Sequence, residues 1–468
     1  MLFERKGKDL PSSGLNAVNS NAAKIEGCTC PVCETFAGAD AEYLARAFGD
    51  SRRFAMTSYA VTDTLGFCPR HGAALLSQAH LSRGIIQVFR DVIPRMIPLL
   101  AEKCIYEDRV QQMLFGASNA CPACAYGNRA VVRHAGRIAR QLSGVPDQAA
   151  WRRLDSLCVR HFEILAGELK QEIRMAALRQ YVDTLNNAAR TTRKLLRSRR
   201  APDALLLEHR HPALGLVAGR PVPEPCPSGD ALAETLQVCP TLIEGIAYPD
   251  ACPVCLEVER ARRRWIYGVQ VTAEFKQIGW LLFPTCSEHL WTIAWLGDPK
   301  LTAIVVTHAL QVAIDQIQQQ ILALVRAAEI EAELAKETTG IAHWGTRPRR
   351  KTESLKPMTV RPIRCPGCER LVIAEDHATG SLLELLQQRK YRNAFNRGYG
   401  LCMKHFAQVY VLAPKGTLRT TLAEGQQGRL AAFAHMLDER VQVVSDDETT
   451  VLREAPLRAA LHRFCGFA

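Results

Sequence analysis

The chain has little aromatic character and no long apolar run. Phe, Trp and Tyr make up 7% of its 468 residues and do not interleave with the cations, which speaks against a base-stacking platform for single-stranded nucleic acid. The most apolar stretch, Leu301 to Val312, is interrupted by Thr302, Thr307, His308 and Gln311 and falls short of a membrane span. Met1 to Leu10 carries no apolar core of signal-peptide length. Also missing are a Walker A loop, a dinucleotide fingerprint, HExxH and GxSxG, the motifs of several common catalytic chemistries. Strand signals are scarce. These absences lead us to expect a non-catalytic protein of the cytoplasm.

Cysteine, by contrast, is abundant. Seventeen are present, and twelve fall into a repeat. Cys30/Cys33 precede Cys68/His71, Cys121/Cys124 precede Cys158/His161, Cys252/Cys255 precede Cys286/His289, and Cys365/Cys368 precede Cys402/His405. The inner cysteines are separated by 34, 33, 30 and 33 residues, as if one unit were used four times. Three thiolates and one imidazole are the ligand set of a closed tetrahedral zinc site. About four Zn²⁺ per chain are therefore expected, with iron–sulfur clusters as the alternative cofactor, since thiolate sets also select those. Pairing across modules leaves the even internal spacing unexplained, so each module is expected to close its own site. Five cysteines are left over, Cys28, Cys104, Cys226, Cys239 and Cys465: Cys28 could exchange with Cys30 as a ligand but reads as a spectator thiol, and Cys226, Cys239 and Cys252 stand thirteen residues apart, a spacing with no physical account.

Every CxxC pair carries a proline at its second position: Pro31, Pro122, Pro253 and Pro366. Proline suits the first turn of a helix, and a helix start presents free N–H groups and a positive dipole end that favour a thiolate. The CxxH pairs also precede apolar helical patterns, so each site is expected where two helix starts meet. Phe162 to Arg200 reads as one helix of many turns, and long patterns follow His71 and His289. Pro94 and Pro98 are expected to end or kink the first of these.

The resulting fold class is all-α: four helical modules, each stapled by a Cys3His site, with long amphipathic helices. The boundaries read as an N-terminal tail at 1–24, modules at 25–114 and 115–210, a Pro-rich linker at 211–250, a third module at 251–339, a basic linker at 340–362, and a fourth module with the C-terminal region at 363–468. The modules fall into two halves of two.

Lys and Arg exceed Asp and Glu by 59 to 47. Residues 1–210 hold 30 basic and 20 acidic residues, and 211–468 hold 29 and 27. Each loaded Cys3His site adds a net negative charge, so four bring the total from +12 to about +8. Arg190, Arg193, Lys194, Arg197, Arg199 and Arg200 end the most basic stretch and form a candidate nucleic-acid contact. The same cations equally complement a helix C-terminus. A protein partner or a nucleic acid both stay open, and the long helices are expected to offer the partner surface. Arg262, Arg263 and Arg264 beside Trp265 read as a solvated face.

The motif CPxC with G-[FL]-C-x-x-H, present as Cys30-Pro31-Val32-Cys33 with Gly66-Phe67-Cys68-Pro69-Arg70-His71, and again as Gly400-Leu401-Cys402-Met403-Lys404-His405, resembles an uncharacterised family of bacterial helical proteins. Modules two and three depart from it at Ser156-Leu157 and Pro284-Thr285. The resemblance implies a prokaryotic source and metal-stapled helices, and it implies no activity.

Overall fold

A computed structural model describes residues 30–64, 66–76, 81–100, 121–144, 151–197, 212–218, 241–249, 251–274, 285–296, 299–339 and 365–443. Among these residues every regular element is helical. The first half of the chain supplies α1 (Pro31–Gly49), α2 (Phe54–Asp63), α3 (Pro69–Leu76), α4 (Ser82–Leu99), α5 (Pro122–Ser143), α6 (Val159–Glu168) and α7 (Gln171–Arg197). Two short helices, α8 (Pro212–Ala218) and α9 (Leu242–Gly245), lie within the stretch expected to be a Pro-rich linker. The second half supplies α10 (Pro253–Glu274), α11 (Ser287–Leu296), α12 (Pro299–Thr339), α13 (Pro366–Gln387), α14 (Arg389–Arg397), α15 (Met403–Leu412) and α16 (Thr417–Val443). Residues 1–24 and 340–362 lie outside the described residues, as do all five cysteines that stand apart from the repeat.

Eight of these helices begin on the residue after the first cysteine of a motif. The carbonyls of Cys30, Cys121, Cys252 and Cys365 accept the first helical bond at 3.0–3.2 Å, and those of Cys68, Cys158, Cys286 and Cys402 do so at 2.8–2.9 Å. A cap normally uses its side chain to bond the orphan N–H groups of the first turn. The thiols of Cys30, Cys121, Cys158, Cys365 and Cys402 make no such bond, which leaves their sulfurs available to a metal.

Each CxxC helix lies antiparallel to that of its neighbouring module. Thr35 Oγ1 meets His134 Nδ1 at 2.7 Å, whereas eight residues on, Tyr43 meets Tyr126, eight residues back, with the rings tilted at 43° and centroids 5.6 Å apart. So α1 and α5 run in opposite directions, and α10 packs closely along α13 in the second half. The halves are joined by the long helices. Arg193 of α7 donates to Gln311 of α12 at 2.9 Å. Gln427 of α16 donates to the Ile97 carbonyl of α4 at 3.1 Å, and Arg90 pairs with Asp438 at 2.5 Å. Two cores result. One gathers α2 to α4, the end of α1 and the helices α13 to α16, with Leu75, Ile85, Phe89, Leu382, Phe406 and Leu430 buried. The other gathers α5 to α8 with α11 and α12, around Phe162, Leu178, Tyr181, Leu185, Trp291 and Ile314. Module one thus packs on module four, and module two on module three.

One expectation is corrected here, and a second holds in part. The helix read from Phe162 to Arg200 is broken, because Leu169 is extended (φ −83°, ψ 145°) and Arg174 donates to the carbonyls of Gly167 and Leu169 at 3.1 and 2.8 Å. The apolar period runs through the break because both pieces face one core. Pro94 sits inside α4, which ends one residue past Pro98, so a proline stops the helix only at its C-terminal end. The long helices also pack in pairs, α7 on α12 and α4 on α16.

Candidate metal centres

The sixteen Cys and His residues of the repeat come together in four groups, but not as modules. Group I is Cys30, Cys33, Cys158 and His161; group II is Cys68, His71, Cys121 and Cys124; group III is Cys252, Cys255, Cys402 and His405; group IV is Cys286, His289, Cys365 and Cys368. Every group takes its CxxC from one module and its CxxH from the neighbour. The expectation that each module closes its own site is thereby overturned. Antiparallel packing of α1 and α5 is the reason: it carries the start of α1 to the far end of α5, where α6 delivers Cys158 and His161. Two helix starts do meet at every group, as the motifs imply.

In each group the potential ligand atoms all lie within 4.8 Å of one another. His161 Nδ1 is 3.4, 3.3 and 3.2 Å from the sulfurs of Cys30, Cys33 and Cys158. His71 Nδ1 is 3.2, 3.3 and 3.4 Å from those of Cys68, Cys121 and Cys124. For His405 the distances to Cys252, Cys255 and Cys402 are 3.4, 3.3 and 3.3 Å. Group IV is less even: His289 Nδ1 is 3.1, 3.7 and 3.5 Å from Cys286, Cys365 and Cys368. The closest sulfur pairs span 3.6–3.8 Å. All ligands of groups I and III are buried, whereas Cys68 and Cys124 in group II and Cys286 and Cys368 in group IV are half-buried. Each group has the donors and the size to hold one metal ion.

Such crowding splits the thiols electrostatically. The neighbouring Cys30 thiolate pushes Cys158 up to about 12, while hydrogen bonds from Cys158 and Cys33 hold Cys30 well below the usual thiol range. Cys68 is raised by Cys121 and Cys124, and Cys286 by Cys365 and Cys368. Cys121 is lowered by Cys124 and Cys68, and Cys365 by Cys286 and Cys368. Burial alone would lower His71, but Asp40 and the thiolates of Cys121 and Cys124 push it up to about 11. One lowered thiol beside a raised one is what close packing of thiols and an imidazole produces, and a bound cation would relieve it by favouring the thiolates.

No protein-family model, curated protein or solved structure matches the chain. The chemistry rests on the residues themselves.

Around two of the groups the imidazole is anchored from behind. His71 Nε2 lies 3.1 Å from Asp40 Oδ2, which also accepts from Arg70 at 3.0 Å. His405 Nε2 lies 3.0 Å from Glu375 Oε1, which pairs with Lys404 Nζ at 2.9 Å. Burial would raise Glu375, yet the bonds and charges of His405 and Lys404 pull it down to about 2. The motif pattern alone missed these residues, although a signal exists: Asp40 and Glu375 each stand ten residues after the first cysteine of their module. In module three that position is Arg262, which pairs with Glu288, the residue before His289, at 3.7 Å. In these three modules the tenth residue of the first helix therefore packs on the CxxH start of its own module, a contact that even internal spacing suits without a shared metal.

The other cationic residues are also placed. Arg190, Arg193 and Lys194 are exposed on the last turns of α7, Arg190 bonding Asn187 and Arg193 bonding Gln311. The Arg197 side chain and Arg199 and Arg200 lie outside the described residues. Of the expected solvated face only Arg264 is exposed, whereas Arg262 and Arg263 are largely covered and pair with Glu259 at 3.4 and 3.0 Å. Among the described residues no helix is long and apolar enough to cross a membrane.

Proposed function

We propose that the protein is a zinc-stapled helical scaffold whose four Cys3His groups each hold one Zn²⁺ and lock two modules together. The observation that carries this reading is the size and closure of the groups. A tetrahedron with Zn–S of about 2.3 Å and Zn–N of about 2.0–2.1 Å has S···S edges of about 3.8 Å and S···N edges of about 3.5 Å. The sulfur pairs at 3.6–3.8 Å and the S···Nδ1 distances of 3.1–3.7 Å bracket those edges. Iron–sulfur clusters spread their cysteines over several irons, a span poorly served by ligand atoms all within 4.8 Å. Four protein ligands complete the coordination sphere, and a catalytic zinc keeps one position open. Nδ1 would bind the metal, and Nε2–H of His71 and His405 would donate to Asp40 and Glu375, fixing tautomer and ring orientation.

A scaffold needs a face for its partner. The distal part of α12 exposes Leu322 and Ile330, and beside it Met175, Leu324, Val325, Ala328 and Ala332 line a groove flanked by Glu172 and Glu329. That acidic, apolar surface favours a protein partner over a nucleic acid. A nucleic-acid partner would instead bind at Arg190, Arg193 and Lys194, with affinity falling steeply as salt rises. The resemblance to bacterial helical proteins and a cytoplasmic location belong to the same reading, since reduced thiolates are what zinc requires.

The test is metal analysis with an absorption spectrum on anaerobically purified protein. About four zinc ions per chain without visible absorbance supports the reading. A brown protein containing iron and sulfide overturns it.

A further inference from the structure

The four groups share one ligand set but not one setting, and group IV alone combines three features. The first is its floor. In CPxC the third residue is Val32, Ala123 or Val254 in the other groups, each essentially inaccessible to solvent. In group IV it is Gly367, and a Cβ there would fall 2.6 Å from His289 Cδ2 and 2.9 Å from its Nε2. The imidazole of His289 thus lies directly on bare backbone, where a side chain would otherwise wall the site. Its three S···Nδ1 distances are accordingly the most uneven of the four sets.

The second feature is what holds the ring. His71 and His405 are each fixed through Nε2 by a carboxylate. At the equivalent place module three has Arg262, engaged with Glu288, and His289 meets the edge of Trp265 instead, with ring centroids 5.0 Å apart at 83°. Such a contact orients the ring without making it a stronger donor to metal, whereas a carboxylate does both. The third feature is access, because Cys286 and Cys368 are half-buried.

Each other group keeps at least two of these three protections. Group I lacks a carboxylate on its histidine among the described residues but is fully buried, and the third residue of its CPxC, Val32, is a buried side chain. Group II is half-open at Cys68 and Cys124 but has Ala123 and the Asp40 bond. Group III has all three.

We propose that group IV is the metal-exchange and thiol-modification site of the protein: zinc enters and leaves there first, and Cys286 and Cys368 are the thiolates met by a soft electrophile or competing chelator. This rests on the zinc reading above and deepens it. Groups I, II and III keep the fold stapled, while group IV couples the starts of α11 and α13 to available zinc. Group III still ties modules three and four together when group IV is empty, so exchange there does not unfold the chain.

The test uses the full-length protein, with metal content measured before any treatment. A chelator is added in limiting amount to remove about one zinc per chain, N-ethylmaleimide then caps each released sulfur through a new C–S bond, and peptide mass spectrometry assigns the labels. The expected result is labelling of Cys286, Cys365 and Cys368 about tenfold or more ahead of the other nine ligand cysteines. First labelling in any other group, or even labelling of all four, overturns the proposal. Absence of zinc at the outset removes the zinc reading itself, and metal analysis recognises that outcome before the chelator is added.

Discussion

Asp40 and Glu375 are placed where a single side chain would tune a candidate metal site without touching the metal. Each accepts from the imidazole Nε2 at 3.1 or 3.0 Å while the Nδ1 faces three sulfurs. Removing the carboxylate charge with Asp40→Asn or Glu375→Gln keeps the shape and weakens the anchor. A loss of about 10–100-fold in zinc affinity at that group is expected, measured by competition with a chromophoric chelator. Unchanged affinity in both variants would show the carboxylates to be bystanders. Protonation gives a second prediction. In group II the metal-free Cys68 is raised, and His71 is raised to about 11, so both hold protons at pH 7. A metal displaces what it competes with, so loading this group releases at least these two protons and affinity rises with pH. Calorimetry in buffers of different ionisation enthalpy reads this number directly, and a value near zero contradicts it. At this scale the sequence was legible for the sixteen ligands, whose types and spacing announce themselves. It was silent on Asp40 and Glu375, because a carboxylate ten residues along a helix looks like any solvated charge until the fold supplies a histidine for it.

Among the elements, the helix starts were legible and the helix partners were not. Cys-Pro at the entry of α1, α5, α10 and α13 and the CxxH starts of α3, α6, α11 and α15 all follow from local chemistry. Gly66 and Gly400 have φ of 114° and 79°, a region that penalises other residues, which gives the G-[FL]-C motif its backbone reason. In module two the same approach is made without it: Leu157 is extended at φ −75°, ψ 139° after a short 3₁₀ turn. Pairing of the ligands escaped local reading because the four modules have nearly equal spacings, so all CxxC and CxxH pairs are chemically interchangeable. Only the antiparallel contact of α1 with α5, set by side chains such as Thr35, His134, Tyr43 and Tyr126, breaks that degeneracy. The packing of α7 on α12 carries its own prediction. Leu185 is fully buried in the core these helices share, and Leu185→Ala is expected to cost about 2–5 kcal/mol in denaturant unfolding of the zinc-loaded chain. A cost under about 1 kcal/mol would show that this contact is not a packed core.

The whole molecule is a doubled pair. Within each half two modules exchange ligand pairs, and between halves the outer modules, one and four, and the inner modules, two and three, share cores. Ligand exchange stays within modules one and two and within modules three and four, but each of these pairs packs on the other, because the long helices that follow the CxxH starts form the joint. Exchange also changes what a metal does. A zinc confined to one module would fix a turn, whereas a zinc shared by two fixes the angle between modules and ties distant stretches of chain, such as Cys30 and His161, into one cooperative unit. The measurement that tests this most directly is alkylation mapping of the zinc-loaded Cys30→Ser, Cys33→Ser double variant. If ligands are exchanged, zinc falls from about four to about three per chain, Cys158 becomes reactive, and Cys68 stays protected with Cys121 and Cys124. Reactive Cys68 beside a protected Cys158 would mean that each module closes its own site, and would contradict the account.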